Sequence, residues 1–302
     1  MTNQLPTPQH LFSLLAAVIT FNLGVNPTFS ADPFRTSNQH RIGDKTEAAF
    51  QAIFRDGNYP AADRYLQQAI TSEPNEPLAY AMKASLAYAS KDLSSLDTYA
   101  NKTLETAQKL TATDPLRGNL YTAVGHFLVG ATTLKNKGTV NGTADALNRL
   151  RQVYEYIDKA EAITPNDPEV NLLKGYMDLM LAVNLPFSNP DEAIQRLKTS
   201  AGPQYLAERG VAIGYRDLKQ YDQALTAVNQ ALKTTANNPE LYYLKGQILK
   251  AQGKNQRNSG LLREAHNNFD QAIAKKSQLP ENLVKQMERE RRTLVEVLAK
   301  PM

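Results

Sequence analysis

The sequence contains no cysteine and no tryptophan. Without cysteine there is no disulfide, no thiolate metal site and no thiol nucleophile. A large helical core does without disulfides, so the absence leaves an oxidising compartment open. Aromatic residues are only 8% of the chain, while alanine is frequent, a balance that suits close helix-on-helix packing. Period-two runs of Val, Thr and Ile, which a β-sandwich needs, do not occur at useful length. Histidine is sparse: His10, His40, His126 and His266 form no i, i+3 or i+4 pair, and no carboxylate pair completes a metal set. Phosphate loops, nucleophile elbows and zinc spacings are missing as well. Of the close acidic pairs, Asp191-Glu192 stands in the opening turn of a helix, where the dipole favours carboxylates. Glu288 and Glu290 lie among arginines on a charged face. No catalytic, cofactor-binding or metal-ligating residue is expected, and the chain does not read as an enzyme.

Among the 302 residues the net charge is +4, and it is unevenly spread. Residues 241–302 hold 12 Lys and Arg against 6 Asp and Glu, leaving 22 against 24 for the rest. Residues 1–31 hold none of these. There Leu11 to Val25 (LFSLLAAVITFNLGV) is an apolar run suited to a signal segment and short for a membrane span. Thr28-Phe29-Ser30 sets small residues for cleavage after Ser30, with Ala31 the neighbouring option. Against this, the first ten residues carry no Lys or Arg. The expectation is export by a cleaved signal peptide, with a retained anchor as the alternative. Residues 32–43 (DPFRTSNQHRIG) read as a polar linker, 44–280 as a helical repeat domain, and 281–302 as a capping helix and tail.

Six helix pairs can be followed. Lys45–Arg55 turns at Gly57-Asn58 into a helix ending near Pro74. The second pair starts at Pro77 and turns at Lys91-Asp92. In the third, an expanded loop is expected at 135–143 (KNKGTVNGT), between a helix beginning with Tyr121–Phe127 and one opening at Ala144. The fourth starts at Pro168, has an enlarged turn at 184–189, and is broken by Ala201-Gly202-Pro203. The fifth, Gly210 to Pro239, is the least worn and turns at Lys219-Gln220. The sixth carries Tyr242 to Gly246, with Gly253 at its turn and a polar insertion at 255–260. In the last helix, Leu283, Met287, Leu294, Val297 and Leu298 make one apolar stripe under a charged face, as the end of a solenoid requires. Positions taken as equivalent, Phe50, Ala84, Gly125, Gly175, Ala212 and Gly246, stand 34, 41, 50, 37 and 34 residues apart.

A step of 34 at both ends, a turn glycine, an aromatic followed by alanines, and a closing proline resemble the tetratricopeptide repeat family. The resemblance covers roughly residues 44–300 and is strongest in the first, fifth and sixth units. The chain also resembles a group of exported tetratricopeptide-repeat proteins of cyanobacteria, through Thr20–Thr36, Asp114–Phe127 and Gly175–Phe187. The resemblance implies an all-α, right-handed superhelical solenoid whose concave groove is lined by the first helix of each pair. It implies protein or peptide binding without catalysis, in the periplasm or thylakoid lumen.

Mapping the family's groove onto this chain places Tyr88, His126, Val129, Tyr176, Leu179, Arg209, Arg216, Tyr243, Gln247 and Lys250 in it. Aromatics beside arginines suit an extended peptide with an acidic end, because Arg holds a carboxylate by two parallel hydrogen bonds; the plain reading is ordinary lining. The family's chaperone-binding clamp is not matched, since its positions hold Leu172, Tyr176, Arg209, Gly210 and Ile213. Val170–Val183 is apolar nearly all round. Burial on both sides is expected for it, a Met-rich adaptable surface being the other reading. Lys245, Lys250, Lys254, Arg257 and Arg263 form a basic stretch. It suits an anionic membrane or an acidic protein, and export argues against nucleic acid. Three functions therefore stand: a protein-binding scaffold, peripheral membrane attachment, and an all-helical enzyme with paired carboxylates. Partner identity and oligomeric state are not encoded in these patterns.

Overall fold

A computed structural model describes residues 32–184 and 190–299, and in the described part the regular structure is all helix, without strands. The proposed signal segment and residues 185–189 of the enlarged turn lie outside it. Helix α1 (Asp44–Phe50) continues as a π-helical turn to Arg55 and pairs with α2 (Tyr59–Ser72). Next come α3 (Pro77–Ser90) with α4 (Leu93–Leu110), then α5 (Pro115–Ile163). They are followed by α6 (Pro168–Asn184) with α7 (Pro190–Ser200), and α8 (Gln204–Asp217) with α9 (Tyr221–Thr234). Last are α10 (Pro239–Gln256) with α11 (Ser259–Ile273), and then α12 (Glu281–Leu298). Consecutive helices stack on one another as the all-α solenoid expected from the repeat pattern.

Two local devices punctuate the array. First helices open on a side-chain cap followed by proline at N1: Glu76-Pro77, Asp114-Pro115 and Asn238-Pro239. Asp167 before Pro168 likewise accepts from the Glu169 and Val170 amides. The carboxylate or amide satisfies an orphan backbone donor, and proline loses nothing there. Within pairs, one left-handed residue ends the first helix: Gly57, Lys91, Lys219 and Arg257 have φ of 64°, 63°, 61° and 51°. In three of these turns the next amide reaches back five residues, from Asp92 to Ala87, Gln220 to Tyr215 and Asn258 to Gly253, the closure of a Schellman motif. The sixth turn is therefore Arg257-Asn258. Gly253 is still helical, and the expected polar insertion at 255–260 is absorbed into two helix ends.

Residues 115–163 take helical conformation throughout, so the open loop expected at 135–143 is wound as helical turns. The chain nevertheless reverses there. Arg149 Nη1 lies 2.9 Å from His126 Nδ1, whereas a straight helix would separate these residues by about 35 Å. Gly142, 3.2 Å from the Thr133 carbonyl at its Cβ position, sits inside the reversal. The two halves of α5 thus make the third pair, joined by Ala123, Val153 and Ile157. The long interval around this pair has a second cause. Gly175 and Gly246 face Leu197 and Phe269 on the second helices of their own pairs, but Gly125 faces Leu104 of the preceding one. Gly125 is therefore out of register with the positions it was grouped with.

The array winds until its sixth pair meets its first. Asn238 donates to the Phe54 carbonyl at 3.1 Å, and the Tyr59 hydroxyl donates to Glu240 at 2.9 Å. Gly57 lies under Pro239, and a Cβ added to it would stand 2.7 Å from the Pro239 Cδ and collide. Residues 32–43 also differ from the expected linker. Phe34 and Ile42 are buried, and Arg35 donates to Asp167 through two nitrogens at 2.7 Å. Arg35 also reaches Asp32 at 2.8 Å and Glu169 at 2.9 Å. His40 pairs with Asp114, and the Arg41 carbonyl accepts from Arg117. Arg117 holds Glu76 at 2.7 and 3.1 Å, and its Nε lies 3.6 Å from Glu169. The segment is thus a strap laid over the caps of α3, α5 and α6. Its charges go unnoticed in sequence because their partners lie up to 134 residues away.

Candidate functional site

Winding five pairs around a common axis leaves a cavity of about 530 Å³ at the centre of the concave side. First helices supply most of the wall: Phe50 from α1, Met82 from α3, Phe127 from α5, Met177 from α6 and Ile213 from α8. Phe34 of the strap, Tyr59 of α2, and Val153 and Ile157 of the returning half of α5 complete it. Among the described residues the lining is almost wholly apolar and contains no carboxylate. Met180, 39% exposed, marks where the wall meets solvent.

Helix α6 shows why the wall stays apolar. Leu172 and Leu179 are buried in the core, while Leu173, Tyr176 and Met177 are half-buried. Leu173, Tyr176, Met177 and Met180 are spaced i, i+3, i+4, i+7, a second apolar stripe, and all four line the cavity. Burial and adaptable surface therefore coexist on the two sides of one helix.

Polar atoms in the wall are already engaged. Tyr176 donates to the Leu206 carbonyl at 2.7 Å, and Tyr121 to Glu169 at 2.5 Å. Arg209, the one charged lining residue, donates to Glu240 at 2.7 Å, and Tyr59 shares that carboxylate. Burial pushes the Tyr176 phenol up to about 12, with the Arg209 cation opposing. Burial also raises Tyr59, and the Glu240 charge adds to it. Glu240 in turn raises the guanidinium of Arg209 against desolvation, so this cation stays charged.

Of the expected groove residues, Tyr176 and Arg209 reach the cavity. Leu179 is buried beside it and Val129 is half-buried against the core. His126 is buried between Arg149 and the Tyr156 ring, 5.5 Å away; burial lowers its pKa and the Arg149 charge lowers it further. Tyr88 is 51% exposed near the end of α3. The other four gather at the C-terminal end. Arg216 donates to Gln247 at 3.1 Å, while Tyr243, Gln247 and Lys250 donate to Glu290 of α12 at 2.6, 3.1 and 2.8 Å. Burial raises the Glu290 carboxyl, and the bonds from Lys250 and Tyr243 outweigh it, holding the group below its ordinary range. The expected basic stretch is divided. Lys245 faces Glu264 at 3.8 Å and Lys250 is held by Glu290, whereas Lys254, Arg257 and Arg263 are exposed around the α10–α11 turn.

Phe34, Phe54, Met82, Phe127 and Ile213 complete the wall without having stood among the expected groove residues. For α6 the signal was present as a second apolar stripe. For Phe34 there was none, because its partners, Phe50 among them, are reached only by folding. Among the described residues there is no cluster of His, Asp and Glu arranged to hold a metal, and no helix long and apolar enough to cross a membrane.

Comparison with known proteins adds the following. The TPR repeat pattern matches residues 215–253, from the end of α8 through α9 into α10. No curated protein matches the chain. Among solved structures it is similar to the human IFIT1 dimer with m7Gppp-AAAA, at 17% identity and a TM-score of 0.45. That similarity covers 84% of this chain and 58% of the IFIT1 chain, so the match spans little more than half of the latter.

Proposed function

We propose that this array, carrying a TPR repeat at 215–253, is a non-catalytic scaffold that binds a protein partner outside the cytoplasm. The repeat match inside a continuous stack of helix pairs carries the reading, since such stacks present extended concave surfaces to partners. The electrostatics agree with it. The buried acids Glu76, Asp167 and Glu169 are committed to Arg117 and Arg35, an arrangement that braces helices and leaves no carboxylate pair facing a substrate. The partner surface runs along α8 and α10, where Arg216, Gln247 and Lys250 form a partly exposed row suited to an acidic segment. Export rests on Leu11–Val25 and the small residues before Ala31, and on the likeness of the sequence to exported cyanobacterial repeat proteins. On this reading the mature chain works in the periplasm or thylakoid lumen.

A photo-crosslinking amino acid placed at Arg216 or Lys250 tests the surface, with Tyr65 on the second helix α2 as the control position. The expected result is adducts with one common protein from the first two positions and none from Tyr65. Equal labelling from all three, or no adduct from any, overturns the assignment. N-terminal sequencing of the protein from its native compartment tests export. A mature chain starting at Ala31 or Asp32 agrees, and a chain retaining residues 1–31 refutes cleavage.

A further inference from the structure

We propose that the central cavity is a binding site for an uncharged ligand with a long, flexible hydrocarbon body, of the acyl or isoprenyl class. This goes beyond the scaffold reading and does not depend on it.

The volume of about 530 Å³ falls within the roughly 300–1,000 Å³ usual for small-molecule sites. What the wall offers, and what it lacks, selects the ligand. A peptide threaded through the cavity would bring an N–H and a C=O at every residue, and each needs a partner when buried. The hydroxyl donors of the wall are already committed, which leaves too few groups to satisfy a buried peptide backbone. Tyr176 is bound to the Leu206 carbonyl, Tyr59 to Glu240, Tyr121 to Glu169, and the Ser85 hydroxyl to the Ala81 carbonyl. A ligand whose buried part makes no hydrogen bonds meets no such cost.

Charge is selected in the same way. Among the described residues Arg209 is the only charged one in the lining, and Glu240 already offsets it at 2.7 Å. A ligand carboxylate would meet a cation whose charge Glu240 already offsets, and would stand beside that like charge in an apolar wall. Flexibility follows from the methionines. Met82, Met177 and Met180 line the cavity, three of the six in the chain, and unbranched thioether side chains re-pack around differently bent ligands. Met180 and half-buried Ile213 stand where the cavity meets solvent, leaving a path for one end of a chain longer than the cavity.

The test uses the chain as it folds, titrated with the neutral apolar dye N-phenyl-1-naphthylamine. Hexadecanol, farnesol, hexadecanoate and an uncharged apolar hexapeptide serve as competitors. Expected is saturable one-to-one dye binding, displaced by hexadecanol or farnesol, with the better competitor identifying the acyl or isoprenyl source. Hexadecanoate should compete at least tenfold less well, and the peptide not at all. Ile213→Lys and Met177→Lys, on different helices of the wall, should each weaken dye binding at least tenfold. Their long stems let the amine reach water at half-buried positions, and circular dichroism confirms folding, so one misfolded variant leaves the other to decide. Tyr65→Lys on α2 should bind as the unaltered chain does. No saturable binding, displacement by the peptide as strong as by hexadecanol, equal competition by hexadecanoate, or unchanged affinity in the folded lysine variants each overturns the proposal.

Discussion

In α8–α11 the packing faces are made of small residues. Ala224, Ala227 and Ala231 are buried on α9, Ala265 and Ala272 on α11, and Gly246 admits the Phe269 ring to within 2.5 Å of where a Cβ would stand. At one edge of α3–α6 the interior is instead filled by Arg35, Arg117, Glu76, Asp167 and Glu169, all buried. The repeat pattern matches part of the first region, residues 215–253, and the second is where the repeat spacing drifts. Small-residue packing asks only for close approach, so it is copied from pair to pair with little change. A buried ion pair asks for its one partner, because either charge left alone inside is costly. The charged edge therefore holds something specific, the strap and the junctions of the second, third and fourth pairs, where the alanine faces hold only the next helix.

This contrast can be broken from either side. Arg117→Ala, which strands Glu76 in the interior and leaves Glu169 to Arg35 and Tyr121, is expected to cost about 3–5 kcal/mol, read as a lowered midpoint in urea unfolding. A loss below about 1 kcal/mol would show that the charged edge does not clamp the array. Gly246→Val forces Phe269 aside and should cost about 1–3 kcal/mol by overpacking, measured in the same way. A smaller effect belongs to the cap. Glu290→Gln weakens a half-exposed pair with Lys250, worth about 0–1 kcal/mol. Glu290 has a depressed pKa in the fold, so its contribution is present above the unfolded glutamate value of about 4.3 and is lost as the pH falls through the lower folded value. Thermal melts between pH 7 and 3 should show a decrement in the unaltered chain that the Gln variant lacks. Smallest is Arg257→Gly. At φ 51° this residue is left-handed, and glycine relieves the strain at some entropic cost, for a net gain of a few tenths of a kcal/mol.

The pairs themselves were readable from short stretches. Asn58, Asp92 and Gln220 follow a left-handed residue and begin the next helix, and an acid or Asn before proline opens several first helices. Two local readings failed for local reasons. Gly253 looked like the sixth turn because glycine is the usual left-handed residue, but Arg257 takes that conformation and Gly253 is used for contact with Leu262. The stretch 135–143 looked like a loop from its polar residues and glycines, yet the chain reverses there through helical turns.

Sequence by itself determined that this chain is a run of helix pairs ending in a one-faced cap, because caps, turns and apolar stripes act over one or two helical turns. Met287 and Leu294 are buried on α12 as its stripe requires. Only the tertiary structure decided that the array closes. Tyr59 meets Glu240 across 181 residues of chain and Arg35 meets Asp167 across 132, and contacts at that separation depend on the sum of many small inter-pair rotations that no short pattern encodes. The cavity, and the sharing of Glu240 between Tyr59 and Arg209 at its wall, follow from that closure.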